Sequence, residues 1–270
     1  MFLQRAIITL IAGPLVLYLI FLGGWFYFVP VTVILLLAAQ EYISIFRRYN
    51  WHLSQWVVIL SVFSLLVVGQ WFDIQLLSLV LLLASLSSMT YALYLYEKGK
   101  SKTAPGDWMA MAGGILLIGW GGAHFFMLRR VEQMPWQWTM LAMLSTWIAD
   151  SGAYLVGKFL TNRILGRHKL APLLSPNKTV EGYVGGIVLG LAFTIIIGIY
   201  LQLPLNLVII LGFFASAVSP LGDLGISMLK RSVGIKDSGT LFPGHGGALD
   251  RIDSLIWSVM AAYYLVVFMA

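Results

Sequence analysis

The chain has 270 residues, of which 60% are hydrophobic and only 10% charged, and its mean hydropathy is +0.88. A soluble domain carries about 25% charged residues, so this composition excludes a water-soluble globular protein and predicts an all-α, polytopic integral membrane protein. The absence of cysteine excludes disulfides, thiolate nucleophiles and Cys-ligated metal sites, and basic cytoplasmic loops explain the net charge of +6 better than nucleic-acid binding does.

A membrane-spanning helix needs about 20 mostly apolar residues. Nine segments meet that pattern, roughly 5–23, 25–46, 54–72, 74–96, 107–128, 137–157, 183–203, 205–226 and 249–269. The first superficially resembles a signal peptide. It lacks an A-x-A cleavage pattern and runs straight into further apolar spans, so it is expected to be retained as a helix. Segments five and six are less regular, being Gly-rich or interrupted by polar residues. Placing the N-terminus in the cytoplasm puts 15 of the 17 Lys and Arg residues in inside loops and leaves only Arg129 and Arg130 outside. That bias predicts nine spans, with the N-terminus cytoplasmic and the C-terminus on the opposite side.

The acids divide the chain. Residues 1–144 hold Glu41, Asp73, Glu97, Asp107 and Glu132, all at predicted helix ends or in loops that water can reach. Residues 145–270 hold Asp150, Glu181, Asp223, Asp237, Asp250 and Asp253. Four of these (Asp150, Glu181, Asp223 and Asp250) fall at or inside the cytoplasmic ends of spans six to nine. Residues 1–144 are therefore expected to be scaffold and lipid contact, and residues 145–270 the functional module. Ionisable groups inside a membrane segment are costly and mark working sites.

Asp150 lies in span six, within Trp147-Ile-Ala-Asp-Ser-Gly-Ala-Tyr154. A buried acid paired with Lys158 or Lys178 accounts for it as well as a functional role does. Next comes Ser175-Pro-Asn-Lys-Thr-Val-Glu181-Gly. Ser175 could cap a helix with Pro176 at its first position. A bare cap does not need Asn177, Lys178, Thr179 and Glu181, which together offer donors for phosphate, base and ribose. In Ser219-Pro-Leu-Gly-Asp-Leu-Gly-Ile-Ser-Met-Leu-Lys230, a helix would put Asp223, Ser227 and Lys230 on one face. There Asp223 either binds a cation or forms a structural ion pair.

The segment from Ser227 to Asp253 packs Lys230, Arg231, Lys236, Asp237, His245, Asp250, Arg251 and Asp253 into 27 residues. Gly246 and Gly247 let backbone approach a ligand and free N–H groups for phosphate, and the helix that follows would present its N-terminus to an anion. Asp250 and Asp253, three apart on that helix, would face one way and suit Mg²⁺, which uses one or two carboxylates plus substrate phosphates. Ordinary pairing with the helix dipole or with Arg251 competes with that role. Lys230, Arg231 and Lys236 either mark topology and touch lipid head groups or stabilise phosphoryl transfer beside the carboxylates. His245 fits a phosphate donor, a proton carrier or a loop hydrogen-bonder. Neither a G-x-x-x-x-G-K-[ST] loop nor a strand-borne G-x-G-x-x-G is present, so any nucleotide site must be built from helix ends.

These residues resemble the signature of the phosphatidate cytidylyltransferases, also called CDP-diacylglycerol synthases. Ser227, Lys230, Arg231, Lys236, Asp237, Gly239, Phe242, Pro243, His245, Gly246, Gly247, Asp250, Arg251 and Asp253 all stand at the family's spacing. The segments around Asp150 and Ser175–Gly182 also look like family features, whereas the first half matches only as apolar spans. The resemblance implies a multi-pass enzyme of the cytoplasmic (inner) membrane that joins CTP to phosphatidic acid, its active site facing the cytoplasm. It also implies a Mg²⁺ requirement, K⁺ as a second cation, and a homodimer. On that basis metal binding is assigned to Asp223 and Asp250, then Asp253 and Asp150. Lys230, Arg231, Lys236 and Lys178 are assigned to phosphates. Ser175, Asn177, Thr179, Glu181, His245, Gly246 and Gly247 are assigned to substrate. The rivals are another CTP-dependent lipid nucleotidyltransferase or lipid kinase and, less favoured, an ion-coupled transporter, which would gather charge near the bilayer midplane. The D-G-x-x-A-R motif of CDP-alcohol phosphotransferases is absent.

Overall fold

The structure, a computed structural model, describes residues 2–161, 164, 166–241 and 246–269, of which residues 2–11 are described by backbone alone. In chain order its elements are α1 (Phe2–Leu22), α2 (Gly24–Arg47), α3 (Gln55–Trp71), α4 (Ile74–Glu97), α5 (Ala104–Gly114), a π-helical stretch (Ile115–Trp120) and α6 (Gly121–Leu128). Then follow α7 (Pro135–Phe159), β1 (Lys169–Ala171), β2 (Ser175–Thr179), α8 (Val180–Tyr200), α9 (Leu205–Ala217), α10 (Pro220–Ser232), α11 (Leu249–Ile252) and α12 (Leu255–Met269). Each of the nine predicted segments falls on helix. Among the described residues six helical stretches are long and apolar enough to cross a membrane: 24–47, 74–97, 104–128, 180–200, 205–232 and 249–269. Ala12–Leu22 and Gln55–Trp71 are shorter apolar helices. The polytopic, helical membrane architecture expected from composition is present.

Helices suit this chain because lipid offers no partner for backbone groups. Polar side chains within the spans are silenced the same way. On α4, the hydroxyls of Ser78 and Thr90 bond the carbonyls of Ile74 and Leu86, 2.9 and 2.8 Å away. Asp73 caps that helix, accepting from the Leu76 amide at 3.0 Å.

The chain forms two compact units, Met1–Met127 with Ser232–Ile252, and Leu128–Arg231 with Asp253–Ala270. In the first, the irregular fifth span is a helix interrupted by the π-helical stretch, and its glycines admit bulky neighbours. A Cβ at Gly114 would sit 2.7 Å from the Tyr42 ring, and one at Gly119 equally close to Leu65. Asp107 departs from expectation. It is not in water but fully buried, its carboxylate accepting from the His52 amide (2.9 Å), Ser101 Oγ (2.5 Å) and Thr103 Oγ1 (3.1 Å). Three donors on one carboxylate make that burial tolerable.

In the second unit, α8 buries Gly182, Gly186, Gly190, Thr194 and Gly198, one residue every four. This small-residue row lets α7 approach closely, as is usual between membrane helices. A Cβ at Gly186 would meet the Ala149 carbonyl oxygen at 2.8 Å. Hydroxyl pairs cross the same interior: Thr146 donates to Ser258 at 2.6 Å and Thr194 to Ser145 at 2.9 Å.

Between α7 and α8 the chain makes an antiparallel two-stranded ribbon that was not anticipated, pairing Lys169 with Thr179 and Ala171 with Ser175. Ser175 is therefore a strand residue and not a helix cap. The cap of α8 is Thr179, whose Oγ1 accepts from the Gly182 amide at 3.0 Å.

Candidate functional site

The polar residues singled out in the sequence gather in two places, one in each unit. In the second unit the anchor is Asp223, in the first turn of α10. Pro220 lacks an amide proton and so restarts the helix after α9 ends at Ala217, which sets Asp223 near a helix N-terminus. Ser227 Oγ donates to Asp223 Oδ1 at 3.3 Å, as expected of residues four apart on a helix. Lys178, projecting from β2, bonds Asp223 Oδ2 as an ion pair. The ribbon and the Asp223 helix, 45 residues apart in sequence, thereby meet through charge.

Lys230 and Arg231 occupy the last turn of α10. Lys230 is buried, and it lies within electrostatic range of Asp253, itself buried. Asp223 and Asp150 also act electrostatically on Asp253. Asp150 is exposed on α7. Arg231 donates from Nε to the Leu174 carbonyl at 3.0 Å, tethering the turn of the ribbon. The result is a patch of three carboxylates and three cations at the α10 helix, the α7–α8 connection and the start of α12.

Within that connection, Asn177 is exposed and Ser175 half-buried. Glu181, in the first turn of α8, is committed to His168. It accepts from the His168 amide at 3.1 and 3.2 Å and meets Nδ1 at 2.6 Å. His168 was not singled out in the sequence. Glu181 and Thr179 thus hold the ribbon against α8.

The other place, in the first unit, is the segment from Ser232 to Ile252. Asp250, on the one-turn helix α11, accepts through Oδ2 from the amides of Ser238 (2.9 Å) and Gly247 (3.0 Å). Glu41 on α2 accepts from Ser238 Oγ (2.7 Å) and the amides of Ala248 (3.0 Å) and Leu249 (2.9 Å). The amides that open α11 were expected to await a phosphate. They receive the chain's own carboxylates. Lys236, Asp237 and Arg251 are exposed. His245 lies outside the described residues. Helix α11 ends at Ile252 and α12 begins at Leu255, so Asp250 and Asp253 do not share a helix. Asp253 instead accepts from the Ser254 amide at 2.7 Å.

No group of three or more His, Asp or Glu side chains among the described residues is placed to hold a metal ion. The donor chemistry nevertheless suits a hard cation that takes one or two carboxylates and completes its shell with substrate oxygens and water. Hydrogen-bonded carboxylates such as Asp250 are the usual form of such ligands.

The Cytidylyltransferase family matches residues 3–269 of this chain. A phosphatidate cytidylyltransferase of Bacillus subtilis is 41% identical over 152 residues, 56% of this chain and 55% of that protein. One of Staphylococcus saprophyticus is 36% identical over 193 residues, 70% of this chain and 68% of that protein. One of Staphylococcus haemolyticus is 30% identical over 266 residues, 94% of each. The matched stretch thus spans about half of the Bacillus protein and nearly all of the last.

Proposed function

The chain belongs to the Cytidylyltransferase family, and on that premise we propose that it is a phosphatidate cytidylyltransferase: it transfers CMP from CTP to phosphatidic acid, giving CDP-diacylglycerol and pyrophosphate. The observation that carries this reading is the ion pair of Lys178 with Asp223. It joins the two polar segments that the sequence marks for substrate and cation in one charged patch on a membrane protein.

A phosphate oxygen of phosphatidic acid attacks the α-phosphorus of CTP. The bond from that phosphorus to the oxygen bridging the β-phosphate breaks, and pyrophosphate leaves with the electron pair. The nucleophile is already an anion at neutral pH, so no strong general base is needed. The obstacle is the meeting of two polyanions, which positioned cations remove. Lys178, Lys230, Arg231 and Lys236 hold phosphates. Ser175 and Asn177 contact CTP, and His245 takes the same role on the later segment, where Gly246 and Gly247 leave room for the Asp250 and Glu41 carboxylates. Thr179 and Glu181 keep the ribbon in shape for it. Asp223 and Asp250 are the metal ligands, with Asp253 and Asp150 as further acids. Mg²⁺ held by such carboxylates would neutralise phosphate charge as a Lewis acid, with K⁺ as a second cation. The basic inside loops support a site that opens to the cytoplasm.

Purified protein in detergent with phosphatidic acid and CTP tests this. Cytosine-labelled CTP should place its label in the lipid, and γ-labelled CTP should not. Label from the γ-phosphate in lipid would instead identify a lipid kinase, and absence of both labels would end the proposal.

A further inference from the structure

Glu41 is the only acid before Asp73, and it sits among apolar residues on α2. Three donors from a segment about 200 residues later converge on its carboxylate: Ala248 N–H on Oε1, and Leu249 N–H and Ser238 Oγ–H on Oε2. Asp250 grips the same segment at neighbouring points, the amides of Ser238 and Gly247. Ser238 is thus held twice, by its hydroxyl to Glu41 and by its amide to Asp250. Two glycines are shaped to this arrangement. A Cβ at Gly239 or at Gly247 would fall onto the Glu41 carboxylate. The small residues at these positions of the motif therefore make room for a side chain from α2.

We infer that Glu41 is a positioning residue for the cytidylyl transfer, clamping Ser238, Ala248 and Leu249 so that Asp250 and the preceding Lys236 are presented in their working arrangement. For its effect on catalysis, the inference rests on the function proposed above; the clamp itself does not. Only a carboxylate of this length serves all three donors. Glutamine accepts through one oxygen and turns an NH₂ toward N–H groups, and aspartate is one methylene short.

The test is the Glu41→Gln variant of the full chain in detergent, read by amide hydrogen exchange and by kinetics. The amides of Ala248 and Leu249 should exchange at least about tenfold faster than in the parent, with α3 and α4 unchanged. kcat should fall about 10–100-fold, the usual cost of losing an outer-shell partner, while KM for CTP moves less than about threefold. The Mg²⁺ concentration giving half-maximal rate should rise. Ser238→Ala, which removes one of the three donors, should shift exchange and kcat the same way by less, and covers the case in which Glu41→Gln does not fold. Parental exchange at Ala248 and Leu249 in both variants overturns the clamp. Accelerated exchange with parental kcat overturns its role in catalysis. A parent protein that forms no CDP-diacylglycerol sinks the proposed function, and the exchange data then decide the clamp alone.

Discussion

Replacing Lys178 by Met removes the ammonium that meets Asp223 and keeps most of the side-chain stem. Each partner's side chain is about a third exposed, 32% and 31%, so the pair lies between two measured regimes. Exposed pairs contribute about 0–1 kcal/mol after solvent screening. Breaking a fully buried pair costs about 3–5 kcal/mol, because a charge is stranded. A cost of about 1–2 kcal/mol is expected for Lys178→Met, softened by the Ser227 hydroxyl that still donates to Asp223. In a protein of this size that lowers Tm by about 2–4 °C per kcal/mol. The double variant Lys178→Met/Asp223→Asn removes the stranded charge, and stability should return to within about 0.5 kcal/mol of the parent. Catalysis should behave differently. Losing a cation aimed at developing phosphate charge costs about 10²–10³ in kcat, and the double variant has lost a metal ligand as well. Thermal melting in detergent and CDP-diacylglycerol formation, measured on the same samples, separate the two. A double variant that regains both stability and turnover would show that the pair is purely structural and would refute the catalytic assignment of both residues.

Thr179→Ala should cost about 1 kcal/mol through loss of the α8 cap, with Thr179→Ser close to the parent in melting and turnover per folded molecule within about threefold for both. Asp107→Asn should lower stability by about 1–3 kcal/mol, since the amide turns a donor toward buried donors; its activity per folded molecule should match the parent, and a selective loss of kcat would place Asp107 in the chemistry. Chelating divalent cations should abolish turnover and added Mg²⁺ should restore it; full activity in excess chelator would remove the metal role of the aspartates.

The apolar spans were legible because twenty apolar residues in a row admit few folds. The Asp223–Ser227 face was legible because helical spacing is local. The ribbon at 169–179 was not. Its strands have three and five residues, and Ser-Pro at 175–176 carries a genuine helix-start signal that strand pairing with Ala171 overrides. The shared helix expected for Asp250 and Asp253 failed over the two residues between α11 and α12. The glycines at 246 and 247 were assigned to an incoming phosphate because free amides beside a helix start attract anions of any origin. What the local pattern leaves open is which anion arrives. A Cβ at Gly246 would fall onto the Asp250 carboxylate and one at Gly247 onto that of Glu41, so at both positions it is a side chain of the chain itself. The signal for Glu41 was nevertheless present. An acid alone in an apolar helix must find donors or be neutralised, and the glycine-rich segment before α11 offers amides at a helix start, where no intrahelical acceptor serves them. Matching the isolated acid of the first half to the amide-rich loop of the second would have required no alignment, only an accounting of where each buried charge is satisfied.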